Sequence, residues 1–218
     1  MSPEEQHLKE WKQEREFLEE RLKAVNRLIK DIAPKDYGEK WAVNVEQGSV
    51  CFGSAFHNWA VSFPYMKKTN ITFKDIIEFY NSGNEGYKAL AKKAPLHEVV
   101  LEMVIKHLPN PVTAQQYRIP NIWHGDLDSP EGKSLINCDP NGELGFICTK
   151  IVVDKHAGEV AAGRLFGGTL KQGETVYMNQ AKKTVRLQQI NIYKGAQRLQ
   201  IDGVPAGNIV GLVGMKGV

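Results

Sequence analysis

The chain has 218 residues, enough for one large or two small domains at about 100–200 residues each. Hydrophobic residues make up 42% and charged residues 24%, an ordinary globular balance, and no apolar run approaches the roughly 18 residues of a membrane span. Net charge is +3; residues 111–218 hold 12 Lys/Arg against 9 Asp/Glu while residues 1–110 balance. An acidic partner such as nucleic acid therefore suits the second half better, beside the plainer reading of a solvated basic face.

In chain order, Ser2-Pro3-Glu4-Glu5 supplies a cap, a first-turn proline and a glutamate placed for a capping box. Leu8, Trp11, Leu18, Leu22, Val25, Ile29 and Ile32 then recur by three, four or seven, which predicts one helix with an apolar stripe ending at Pro34. Trp41–Val45 and Val50–Phe52 read as short strands. Thr72-Phe73-Lys74-Asp75 opens a second helix through Ile76, Ile77, Phe79 and Tyr80, stopped by Asn81-Ser82-Gly83. A third runs from about Pro95 to Leu108, and Pro109-Asn110-Pro111 breaks the chain at a domain boundary, giving domains 1–109 and 110–218. Beyond it the apolar period falls from 3.6 toward 2. Residues 144–153, 160–166, 168–177, 183–193 and 208–213 are strand-like, with turns at Gly158, Gly173, Gly195 and Gly203, the rhythm of an antiparallel barrel or sandwich.

Motifs for chemistry are sparse. Six scattered histidines show no HExxH spacing, and His97 and His107 stand about 15 Å apart along one helix, too far for a shared ion. Cys51, Cys138 and Cys148 show no CxxC, which predicts reduced thiols in a cytoplasmic protein, and the charged opening MSPEEQHLKEWKQERE lacks a signal peptide's apolar core. Asp126, Asp128 and Glu131 crowd a Gly/Pro loop as solvated turn residues or a weak cation site. GxxxxGK[ST] is absent, and Asp139-Pro140-Asn141-Gly142 fits DxxG formally but reads as a type I turn. No catalytic residue and no metal ligand is assigned.

Residues 50–61, VCFGSAFHNWAV, are different. Gly53-Ser54-Ala55 could offer backbone N–H groups to a base at the carboxyl edge of an α/β sheet, or could form a tight turn whose small residues avoid crowding. The letters alone leave both readings open.

Longer blocks carry a resemblance. GSVCFGSAFHNWAVSFPYMKKTNITFKDII (48–77), preceded by AVNRLIKDIAP (24–34), closely resembles the segment of the archaeal elongation factor 2 family of translational GTPases that holds its fifth guanine-nucleotide motif. CDPNGELGFICTKIVVDKHAGEVAAGRLFGGTLKQGETVY (138–177) is similar to the start of that family's second domain, including Gly163-Arg164, Gly168-Thr169 and Gly173. Residues 94–126 fit the family as well.

The resemblance implies a multidomain α+β chain. The C-terminal remnant of a P-loop GTPase α/β domain would be followed by an antiparallel β-barrel, the translation-factor domain II, incomplete at its C-terminus. Ser54, Ala55 and Phe56 would match the guanine motif, with the alanine N–H donating to guanine O6. Phe56 and Trp59 would pack behind that rim. GTP and magnesium would serve the parent protein, whose partner would be small-subunit rRNA of the ribosome, with no membrane or DNA partner. The phosphate loop, switch regions, DxxGH and NKxD motifs of the family are not matched here, so the chain reads as a central fragment expected neither to bind GTP measurably nor to hydrolyse it. Residues 1–110 would show exposed sheet edges or a helix-dominated remnant. Two other readings stay open: a stand-alone RNA- or ribosome-binding module without nucleotide, and a paralogous ribosome-associated GTPase.

Overall fold

A computed structural model describes residues 3–34, 36–154, 158–195 and 197–215, and of residues 3–12 and 14 the backbone alone. The proposed Ser2 cap and the side chains of Leu8 and Trp11 thus lie outside the described residues. Two compact units are present, Met1–Leu108 and Pro109–Val218.

The first unit begins with α1 (Pro3–Ile32). Along its stripe Leu22 and Ile29 are half-buried, whereas Leu18, Val25 and Ile32 are exposed. Asn26 on this helix grips the chain ahead: its Oδ1 accepts from Val43 N at 2.7 Å and its Nδ2 donates to Val43 O at 3.0 Å. That clasp corrects the strand expected at Trp41–Val45. One side chain engages both backbone groups of Val43, which leaves that residue no N–H for a β-ladder.

The expected strand at 50–52 is real but extends to Ser54. β1 (Cys51–Ser54) pairs antiparallel with β2 (Trp59–Ser62), from Cys51 opposite Ser62 to Ser54 opposite Trp59. The strand therefore enters a hairpin: residues 59–62 fold straight back on it, and among the described residues these two strands pair only with each other.

Four helices follow, α2 (Phe63–Thr69), α3 (Phe73–Asn81), α4 (Gly83–Lys93) and α5 (Leu96–His107). The capping box that opens α3 forms in full: Thr72 Oγ1 accepts from Asp75 N at 3.3 Å and Asp75 Oδ2 accepts from Thr72 N at 2.7 Å. Trp59, Ala60, Val61, Tyr65, Ile71, Leu90, Ala94 and Val99 make the core. β2 supplies its centre, buried along its whole length.

The second unit opens with α6 (Pro111–Ile122) and α7 (Pro130–Asn137). Neither is foreseen by apolar period, and Glu131, read as part of a loop, sits in the first turn of α7. A shared signal marks α2, α6 and α7. Ser62, Asn110 and Ser129 each cap a helix through the side chain, and a proline stands in the first turn behind each. Proline there gives up an N–H that has no helical partner anyway. Pro109-Asn110-Pro111 is accordingly a helix start as much as a break.

A β region completes the chain: β3 (Gly145–Asp154), β4 (Gly158–Gly167), β5 (Thr169–Lys171), β6 (Thr175–Met178), β7 (Lys183–Arg186), β8 (Gln189–Lys194), β9 (Gln197–Ile201), β10 (Gly203–Pro205) and β11 (Ile209–Val213). Five strands form one antiparallel sheet in the order β3-β4-β11-β8-β9, and β5–β10 and β6–β7 form two ribbons. Leu165, Leu170, Val176, Leu187, Ile190, Val204, Val210 and Leu212 gather from the sheet and both ribbons into one core. Gly203, expected in a turn, is a strand residue opposite Lys171.

The glycine motif of this unit has a mechanical explanation. A Cβ at Gly163 would lie 2.0 Å from Ile147 O, where β3 bulges between Cys148 and Lys150. Gly168 takes φ +73° between β4 and β5. Arg164 Nη1 donates to Gly207 O at 3.2 Å, and Thr169 Oγ1 donates to Pro140 O at 2.6 Å. Buried Gln115 ties α6 to this region, its Nε2 donating to Phe166 O at 2.7 Å and to Leu135 O at 2.5 Å.

Candidate functional site

Ser54, Ala55 and Phe56 lie together at the head of the β1–β2 hairpin. The turn Ala55-Phe56-His57-Asn58 is closed by Asn58 N donating to Ala55 O at 3.3 Å. Ser54 Oγ accepts from His57 N at 3.2 Å, so the serine hydroxyl organises the turn from within. Asn58 takes a left-handed φ of 57°, which its short polar side chain tolerates better than most. Its carbonyl accepts from Leu96 N at 3.1 Å, and Ala60 N donates to Ala94 O at 3.1 Å, which pins the returning strand to the segment before α5.

Small residues are required on the incoming strand. A Cβ at Gly53 would come within 2.4 Å of Trp59 O. Ala55 is exposed and Phe56 is 88% exposed, so the outer face of the turn is open to a flat ligand. Phe56 does not pack behind the rim as expected, because its apex position points it away from the hairpin's own core. Trp59 does, at 6% exposure.

Behind the turn runs a set of aromatic rings. His57 stacks on Tyr87 with centroids 3.9 Å apart and planes 18° from parallel. Tyr87 meets Tyr80 edge-on at 4.9 Å, and Tyr80 meets Trp59 edge-on at 6.3 Å. Phe56 in turn lies edge-on to His57 at 4.9 Å. Tyr80 and Tyr87 come from α3 and α4, and sequence reasoning gave neither a part in the site. Asn81-Ser82-Gly83 does stop α3, but a further helix, α4, starts at once from Gly83 and carries Tyr87.

The other candidates resolve into structure. Asp126 Oδ1 accepts from Asp128 N at 2.9 Å, a local turn that leads to the Ser129 cap of α7. Asp139 and Gly142 close a four-residue turn, Gly142 N donating to Asp139 O at 3.4 Å, with Asn141 N also donating to Asp139 Oδ1 at 2.9 Å. Cys51, Cys138 and Cys148 are free thiols, and burial pushes Cys51 and Cys138 above the ordinary thiol range, which makes them poor nucleophiles. Among the described residues no group of three His, Cys, Asp or Glu is placed to hold a metal, and no helix is long and apolar enough to cross a membrane.

Residues 144–218 match the family model for elongation factor G domain 2. Elongation factor 2 of Thermococcus kodakarensis is 55% identical over 192 residues, covering 88% of this chain and 26% of that protein. Elongation factor 2 of Methanococcus aeolicus is 55% identical and that of Methanocaldococcus jannaschii 54%, over the same extents. The chain spans about a quarter of the length of the curated relatives it matches. Identity at this level over 88% of its length makes the chain a homologue of the archaeal elongation factor 2 family, carrying that family's second-domain match at residues 144–218.

Proposed function

We propose that Ser54-Ala55-Phe56 is the base-reading rim of a guanine-nucleotide site and that the whole protein drives GTP-dependent translocation of tRNA and mRNA on the ribosome. In this reading residues 1–109 are the C-terminal part of a GTP-binding domain. Residues 110–218 are the translation-factor domain II and face small-subunit rRNA.

The observation that carries the reading is the exposed Ala55 at the head of a hairpin whose returning strand is pinned to the segment before α5. Its N–H would donate to guanine O6. Adenine would bring an amino donor to the same place, leaving two donors opposed, at a cost of about 1–3 kcal/mol for the unmade hydrogen bond. The open face beside Phe56 leaves room for the base. Of GTP and its magnesium, the residues of this chain fit the guanine base alone. The chain has no GxxxxGK[ST] loop to hold the phosphates, and those contacts supply most nucleotide affinity.

The β unit supports the second half of the reading through its family match and its surplus of three positive charges in residues 111–218. An rRNA contact made by these groups would weaken with salt.

Two measurements on the 218-residue chain test this. Guanosine at millimolar concentration should shift the amide resonances of Ala55 and Phe56 while adenosine leaves them in place. Calorimetry with GTP should show no micromolar affinity. Equal responses to the two nucleosides would refute base reading, and micromolar GTP binding would refute the division of labour between base and phosphates.

A further inference from the structure

We propose that His57, stacked on Tyr87, is the positioning residue that holds the Ser54–Asn58 turn in its base-reading shape; this rests on the guanine reading above.

Both ends of the turn are fixed by backbone. Ser54 and Trp59 are paired across the hairpin, and Asn58 O accepts from Leu96 N at 3.1 Å. The middle is held differently. Within it, Asn58 N reaches Ala55 O at 3.3 Å and His57 N reaches Ser54 Oγ at 3.2 Å. The first is slightly long and ends on the exposed Asn58, where water competes for it; the second, part-buried, stands at the long end of the ordinary range. The middle's firm connection to the rest of the unit is the His57 ring on Tyr87, 3.9 Å away and nearly parallel.

That connection leads to a fixed place. Tyr87 lies edge-on to Tyr80 and Tyr80 edge-on to Trp59, which is buried at the start of β2. The rings thus run from the turn through α4 and α3 back to the hairpin. Offset and edge-on ring pairs favour particular separations and angles, so they resist sliding as well as separation. A reading amide must stay within a few tenths of an ångström of its acceptor to discriminate, and a turn swinging freely about its two ends would not keep Ala55 there. Tyr87 belongs to α4, so anything displacing α4 would also loosen the reader.

Nitrogen-15 relaxation on the 218-residue chain provides the test. Backbone order parameters at Phe56 and His57 should be about 0.85 in the native chain and fall below about 0.6 in both His57→Ala and Tyr87→Leu. His57→Phe, which keeps a flat ring, should retain the native values, while Ala60 and Val61 stay rigid throughout. The guanosine-induced shift at Ala55 should vanish in His57→Ala and return in His57→Phe. Order parameters already below about 0.6 in the native chain would overturn the proposal without any variant. So would an unchanged turn in His57→Ala. A turn that loosens as described in a chain that never distinguishes guanosine from adenosine would uphold the stack and refute the guanine reading.

Discussion

The two units spend similar apolar patterning on different ends. In Pro109–Val218 the alternating strands converge, and Leu165, Leu170, Ile190, Val210 and Leu212 are sealed at 1% exposure or less. In Met1–Leu108 the core centres on one hairpin and the helices packed on it, while Leu18, Val25 and Ile32 of α1 and Leu101 and Ile105 of α5 remain exposed. A strand hydrogen-bonds to neighbours and so brings its apolar face into register with theirs. A helix satisfies its own backbone, and an amphipathic face alone does not bring it a partner. Periodicity therefore reports that a face is apolar, not that it is covered.

Substitutions that contrast the units should show this directly. The largest difference is expected between Leu165→Ala and Ile105→Ala. The first empties a fully buried site and should cost about 2–5 kcal/mol, whereas the second removes a side chain 82% exposed and should stay within about 0.5 kcal/mol. Urea unfolding followed by circular dichroism measures both, and equal midpoints would mean that α5 is covered in solution.

Gly163→Ala comes next. Its new methyl would meet Ile147 O at the β3 bulge, and overpacking of this kind costs about 1–3 kcal/mol. Gly158→Ala is a useful comparison, since among the described residues a Cβ there meets nothing within 4 Å, and its φ of +73° supplies the penalty. A smaller midpoint shift for Gly163→Ala than for Gly158→Ala would contradict the close-approach account of the motif.

The smallest effect is expected at the α3 cap. Thr72→Ala should cost about 1 kcal/mol. The hydroxyl and amide of Thr72 hold the Asp75 carboxyl below its usual range. Its folded value is depressed, so the cap's contribution is complete above the ordinary carboxylate value and is lost as pH falls through the lower folded one. Protection against amide exchange in the first turn of α3, taken relative to the intrinsic rate at each pH, should therefore fall on acidification in the native chain and much less in Thr72→Ala.

Local chemistry was legible in the residues themselves. The capping box at Thr72–Asp75, the β rhythm beyond residue 144 and the Asp139–Gly142 turn each depend on neighbours within a few positions. The helices α2, α6 and α7 were legible too, in the cap-then-proline signal, although their short apolar patterns concealed them. Gly53-Ser54-Ala55 stood out by composition, and only the family resemblance implied a guanine-reading role for Ser54, Ala55 and Phe56.

Other features needed the tertiary structure because their causes lie far along the chain. Asn26 turns Trp41–Val45 from a strand into an irregular segment, 17 residues away from the Val43 backbone it binds. The return of β2 on β1 puts Ser54-Ala55-Phe56 at a hairpin head, exposing Phe56 while burying Trp59. Tyr87 meets His57 only because α3 and α4 fold back beside the turn. The sequence by itself determined which residues could turn, cap and alternate, since those preferences are paid for within one or two turns of chain. Which apolar faces are covered, and which ring supports the turn, was decided by contacts between distant segments, whose energies no local pattern contains.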